Sequence, residues 1–385
     1  MERKKILIIG MFDSIHLARW LEQFESDKLD FILMPSKKFK RYHFMLSRLI
    51  KSTKEANFSV VWPYKYFTFA GYFDFILSKV FSFVGLNSKE ILLKKVLRKY
   101  NFDFIHAFEI QGAGYLYESL PKRYSQGNHL ILTNWGSDIS FFINLPEHKN
   151  RIIQTIKKAS YYSAECERDY HLATKYGFKG KFLPCIPNAG GFSDYEINKY
   201  RSNCSSRELI LCKGYGGTFG RVDLILSGIE KFLIMNPGFR VFFYSVTIDV
   251  EPQIKKLVQN FKGQIDFSTV RKPLERTLLL DLFAMARVYI GCSVSDGIST
   301  SFLEALVAGA YPIQTKTSCA SEWIRKGAVA SIVELHTDSI YTQLNRVIFD
   351  DKLLDHAQQK NLVLVKTSLN YAEISKLAHT YYGIS

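Results

Sequence analysis

Ser295 to Trp323 reads SDGISTSFLEALVAGAYPIQTKTSCASEW, and this stretch decides how the rest of the chain is read. Asp296 and Gly297 lead into the hydroxyl-bearing Ser299, Thr300 and Ser301. Apolar residues at helical spacing (Phe302, Leu303, Ala305, Leu306) then run to Gly309, with Pro312 just beyond. The pattern predicts a polar loop opening a short helix. Unpaired amides and the positive end of the helix dipole favour an anion there, and Gly297 lets the backbone approach it closely. Glu304 follows Asp296 by eight residues, so one carboxylate lies in the loop and the other in the first turns of the helix. Carboxylates accept hydrogen bonds from sugar hydroxyls, and between these two stand the amides of Gly297, Ile298, Ser299, Thr300 and Ser301. The set suits a diphosphate carrying a sugar at each end. An ordinary capped strand–helix unit, with Glu304 in water, accounts for the same residues.

Outward from this stretch the chain alternates strand and helix. Strands are expected at Glu208 to Cys212, Arg240 to Val246, Gln264 to Phe267, Val288 to Gly291 and Pro312 to Thr315, with a helix over Val222 to Met235. Before them, strands are expected at Ile6 to Gly10, Phe31 to Met34, Ser59 to Trp62, Phe104 to His106, Leu130 to Thr133, Tyr161 to Ala164 and Gly180 to Leu183, with a helix from His16 to Phe24. Such alternation implies parallel, doubly wound sheets. The Pro- and Gly-rich piece from Pro184 to Gly191 is the expected boundary, giving domains at 1–190 and 191–365 and a helical tail at 366–385. Ligands of open parallel sheets bind beyond the carboxyl ends of the strands, which predicts a cleft between the two halves.

A chain of 385 residues with 47% apolar content has room for two packed domains. Six scattered cysteines form no CxxC pair and no histidine cluster stands at ligand spacing, so neither disulfides nor a metal site is expected, and a reducing cytoplasm fits. The apolar run of MERKKILIIG is too short for a signal sequence, and Phe67 to Leu86 is interrupted by Asp74 and Lys79, which makes it a poor spanning helix. The formal charge of +15 is concentrated: between Pro35 and Tyr100 fourteen Lys and Arg stand against Glu55, Asp74 and Glu90. Interleaved with Phe, Tyr and Trp62, the cations of residues 35–100 suit an anionic membrane surface, and equally a solvated basic face over core aromatics. No signature of an RNA- or DNA-binding module is present, so nucleic acid is not an expected partner.

Asp296-x7-Glu304 followed by Ala305-Leu306-x-Ala308-Gly309-x-x-Pro312-Ile313 resembles the E-x7-E segment of retaining glycosyltransferases of family 4. The resemblance implies the α/β GT-B architecture, in which two Rossmann-like doubly wound domains face each other across a cleft. It implies that Asp296, standing where the family usually has Glu, contacts the donor sugar and that Glu304 holds the ribose of the nucleotide. The segment from Lys213 and Gly214 through the glycine-rich loop to Arg221 resembles the family's two donor-diphosphate cations with Lys and Arg exchanged. A glycine-rich turn with solvated cations is the other reading.

In the first half, Thr133-Asn134-Trp135-Gly136-Ser137-Asp138 occupies the place of the family's Thr-x-His, with Trp135 in the histidine position. Asp138 is read either as a helix cap or as a group that binds or deprotonates an acceptor hydroxyl. Ser14, His16 and Trp135 are the candidates on the acceptor side, whereas His106 is read as structural. The resemblance implies a nucleotide diphosphate sugar, UDP- or GDP-linked, as donor substrate, with no metal or other cofactor. Its acceptor is expected to be a lipid-linked saccharide of bacterial surface polysaccharide assembly, at the cytoplasmic face of the plasma membrane. A soluble transferase acting on a small metabolite or protein, and a non-catalytic GT-B binding or scaffold protein, are the alternatives.

Overall fold

The computed structural model describes residues 3–52, 54–64, 76, 79–80, 87–125, 127, 129–199 and 201–384. The aromatic segment from Phe67 to Leu86 therefore lies outside the described residues, apart from Ile76, Lys79 and Val80. The chain divides into two compact units, Met1–Gly190 with Ile374–Ser385, and Gly191–Glu373.

The first unit is built on a parallel sheet of seven strands: β1 (Lys4–Gly10), β2 (Leu29–Pro35), β3 (Asn57–Val60), β4 (Phe104–Phe108), β5 (Leu130–Thr133), β6 (Tyr161–Ser163) and β7 (Lys181–Phe182), in the order β3-β2-β1-β4-β5-β6-β7. Ile6, Leu7, Ile8 and Ile9 of β1 are all fully buried, as expected for a central parallel strand covered on both faces. Two expectations are corrected here. The third strand begins and ends two residues earlier than Ser59 to Trp62, which leaves Trp62 beyond it and exposed. The first helix, Ile15–Glu22, starts after Ser14, whose hydroxyl accepts from the His16 amide at 3.1 Å.

Residues after Ile374 are sewn into this unit. The Tyr382 hydroxyl meets Trp20 Nε1 at 3.0 Å and His106 Nδ1 at 2.7 Å, and His106 Nε2 meets Thr133 Oγ1 at 2.6 Å. Burial pushes His106 well below the usual histidine range, so it is a neutral, fully bonded part of the core.

The second unit carries six parallel strands: β8 (Leu209–Lys213), β9 (Arg240–Val246), β10 (Ile265–Thr269), β11 (Ala286–Gly291), β12 (Tyr311–Thr315) and β13 (Ser331–Val333), in the order β10-β9-β8-β11-β12-β13. Apolar clusters cover both faces of the sheet. The helix Thr300–Ala308 lies on one of them with Phe302, Leu303, Leu306 and Val307 buried. It ends at Gly309, whose φ of 70° is a left-handed value that glycine adopts without a Cβ clash.

Candidate functional site

In the second unit the strand order reverses between β8 and β11, and the helices that follow these two strands, Val222–Met235 and Thr300–Ala308, pack into different apolar clusters on the two faces of the sheet. Such a switch point opens a crevice at the carboxyl ends. The loops leaving the two strands are joined: Arg221 N donates to Cys292 O at 3.2 Å, Val294 N donates to Phe219 O at 2.8 Å, and Gly220 bridges Ser293. The later loop is further pinned by Cys319 N donating to Gly297 O at 2.7 Å.

Lys213 is the last residue of β8 and half-buried, with its ammonium 4.6 Å from the Tyr215 ring centroid. Burial works against its charge, but Tyr215, Tyr289, Asp296 and Glu304 outweigh burial and raise its affinity for the proton. Gly214 follows it against β9. A Cβ there would lie 2.6 Å from Val246 Cγ2 and 3.0 Å from the Tyr244 carbonyl, so a side chain would push the loop off the sheet. Gly216 N and Gly217 N donate to Thr247 Oγ1 and Asp249 Oδ2 at 2.9 and 2.8 Å, which fixes the loop's path. Arg221 is engaged differently from Lys213. It precedes the helix Val222–Met235, and its guanidinium makes an exposed bidentate pair with Asp223 at 2.7 and 2.9 Å.

Across the switch point, Ser299 precedes the helix Thr300–Ala308 without a side-chain capping bond, and the Thr300 and Ser301 amides donate to no acceptor among the described residues. Free first-turn amides at a helix start attract an anion. Asp296, half-buried, makes no hydrogen bond or ion pair with the described residues. Glu304 is buried, and Arg276 Nη1 lies 3.3 Å from its Oε1. Sequence reading missed Arg276, and it missed Tyr244 and Tyr289, whose buried hydroxyls lie near Ser301 without reaching hydrogen-bond geometry. Tyrosines inside apolar strands carry no sequence signal that separates them from core residues.

The first unit has its own switch point, between β1 and β4. Glu109, directly after β4, adopts a φ of 95° that a non-glycine residue holds only when its surroundings fix it. Its buried carboxylate accepts from Ser36 Oγ at 2.8 Å and Ala113 N at 3.3 Å and pairs with Lys37. Asp138 is not the helix cap that one reading expected, because Gly136 precedes the short helix Ser137–Ser140. Instead one oxygen, Oδ2, accepts from Ile110 N at 2.8 Å and Trp135 N at 3.0 Å, tying the loop after β5 to the loop after β4. Burial, then the charge of Glu109, push Asp138 up to about 7 against the pull of those amides and Lys37. His16 packs edge-on against Trp135 with ring centroids 5.6 Å apart, which brings two acceptor-side candidates together, while Ser14 caps the helix that carries His16. The Trp135 Nε1 donates to no described atom. Sequence reading missed Glu109, although an acid directly after a strand, in His106-Ala-Phe-Glu109, was a usable signal.

No protein-family model matches this sequence, and no curated protein sequence does. Solved structures do. Sucrose-phosphate synthase from Thermosynechococcus elongatus superposes with a TM-score of 0.71 at 11% identity, over 99% of this chain and 98% of the other. The fold is GT-B. Anabaena HepE in complex with UDP and glucose gives a TM-score of 0.69 at 12% identity, over 99% of this chain and 100% of that one. An α,α-trehalose-phosphate synthase (UDP-forming) from Burkholderia vietnamiensis gives 0.69 at 11% identity, over 98% of each. In GT-B terms the 7-stranded sheet is the first Rossmann-like unit and the 6-stranded sheet the second.

Proposed function

We propose that this chain is a retaining glycosyltransferase that moves a sugar from a nucleotide diphosphate sugar to a saccharide acceptor. The observation that carries the reading is the β8/β11 switch point, where the Lys213 ammonium, the uncapped start of the helix Thr300–Ala308, and the carboxylates of Asp296 and Glu304 converge. HepE, of the same fold, has been solved with UDP and with UDP-glucose. In this reading the amides from Gly297 to Ser301 and Lys213 neutralise the diphosphate, with Gly214 giving the loop room. Glu304 takes the ribose hydroxyls and Asp296 orients the donor sugar. Lys213 and the amides supply the charge stabilisation that a metal would otherwise bring, and Arg221 contributes its field with Asp223 as partner.

By family resemblance, transfer retains the anomeric configuration. The acceptor oxygen bonds to the anomeric carbon on the face from which the diphosphate departs, and a leaving phosphate oxygen takes the hydroxyl proton. Asp138, tied to the Trp135 amide, with His16 packed against the Trp135 ring, binds the acceptor hydroxyl in this account. A lipid-linked acceptor at the cytoplasmic membrane face is favoured by the exposed Phe44 and Trp62 among the cations Lys38, Lys40, Arg41 and Lys51.

The test is consumption of UDP-, GDP- and ADP-linked sugars in the presence of a lipid-linked saccharide fraction, with the product's anomeric coupling read by NMR. One donor should be consumed faster with acceptor present, and with retention. Inversion would remove the retaining mechanism; nucleotide binding without sugar release would make the protein a binding or scaffold module. Low co-sedimentation with vesicles of anionic lipid would point to a soluble acceptor instead.

A further inference from the structure

Arg276 opens the helix Arg276–Met285, a position where the helix dipole disfavours a cation. Two carboxylates account for it. Its Nη1 reaches Glu304 Oε1 at 3.3 Å, while Nη2 and Nε reach Glu196 Oε1 at 2.8 and 3.1 Å. The guanidinium also lies over the Phe192 ring, 5.2 Å from its centroid. Glu196 is itself fixed, because its Oε2 accepts from Ser193 N at 2.8 Å in a capping box at the start of the helix Asp194–Asn198. The neighbouring Phe192 is held by Leu369 O at 2.7 Å and Tyr371 N at 2.8 Å. A rigid anchor thus stands behind Arg276, and Arg276 stands behind Glu304.

A buried carboxylate needs a counter-cation, and a cation held at one of its oxygens limits the positions its side chain can take. We propose that Arg276 is a positioning residue for the donor site, fixing the Glu304 carboxylate in the orientation that accepts the ribose hydroxyls of a nucleoside diphosphate, with Glu196 as its anchor. This rests on the donor-site reading above. It makes Arg276 act on the nucleotide through Glu304 and not by direct contact with the diphosphate.

The experiment is calorimetric titration of UDP, with GDP and ADP beside it, into the full chain and into Arg276→Ala, Glu304→Gln, the double variant, Arg276→Lys and Glu196→Gln, with a melting curve for each. Arg276→Ala should weaken the bound nucleotide by about five- to tenfold. The double variant should be no weaker than the worse single one, because removing Glu304 leaves Arg276 nothing to act through. Arg276→Lys should recover part of the loss, and Glu196→Gln should reproduce part of it, which keeps the test open should Arg276→Ala fail to fold. A purely structural role would lower the melting temperature and leave affinity alone. Affinity within about twofold of wild type in Arg276→Ala (in Glu196→Gln if that variant does not fold), or losses that multiply in the double variant, would overturn the proposal. Absence of nucleotide binding to the wild type would overturn the donor-site reading itself.

Discussion

Replacing Lys213 with Met should slow sugar release from the donor by about 10²–10³, the loss typical when one preorganised group facing developing charge is removed. The effect should be large because Lys213 ends β8 at the switch point, is half-buried, and is held protonated by Tyr215, Tyr289, Asp296 and Glu304. Charge builds on the leaving diphosphate only as the glycosidic bond breaks. Loss of the ammonium therefore falls more on turnover than on ground-state affinity. Arg221 should not rescue it, since its guanidinium is already paired with Asp223. The check is nucleoside diphosphate release under saturating donor for the two proteins, with melting curves alongside. A rate within about threefold of wild type would remove Lys213 from the chemistry.

The second large effect is expected at Asp138, and it has a sign in pH. Its folded carboxyl titrates at about 7, against about 3.9 in an unfolded chain. A raised acid favours the folded state while protonated, so this contribution is lost as pH climbs from about 4 through about 7. Across that window the cost is of order 4 kcal/mol. Asp138→Asn should remove this contribution to the slope. Both main-chain bonds fall on one oxygen, Oδ2, so an amide oxygen placed there keeps the Ile110 and Trp135 contacts. Urea midpoints at pH 5, 6, 7 and 8 should fall with pH for the wild type and stay flatter for the variant, which should be the more stable at pH 8. Acceptor-dependent turnover should fall in the same variant while nucleotide affinity holds. Parallel stability profiles would show that the acid is not raised in the folded chain.

The alternation of strands was legible because central parallel strands are continuous apolar runs, as Ile6 to Ile9 and Val288 to Gly291 are, each followed by glycine or a polar loop. The three residues of β13 were not, since Ser331 to Val333 is too short to show a period. The placement of Lys213 at a strand end, and of Asp296 and Glu304 around a helix start, was legible because strand ends and helix starts can be placed from local sequence. Arg276 was missed because what gives it meaning, Glu304, lies 28 positions away, and the roles of Glu109 come from Ser36 and Lys37 more than 70 positions before it, although its place directly after a strand was a local signal. Burial decides the rest. Asp138 reads as a surface cap until the fold covers it with the loops after β4 and β5.

The central claim is that the β8/β11 switch point binds a nucleoside diphosphate. Calorimetric titration of UDP, GDP and ADP into the wild type and into Glu304→Ala tests it most directly. One diphosphate should bind the wild type, and Glu304→Ala should weaken it by about tenfold, a loss of about 1.4 kcal/mol. Binding of none of the three, or equal binding by both proteins, would contradict the account.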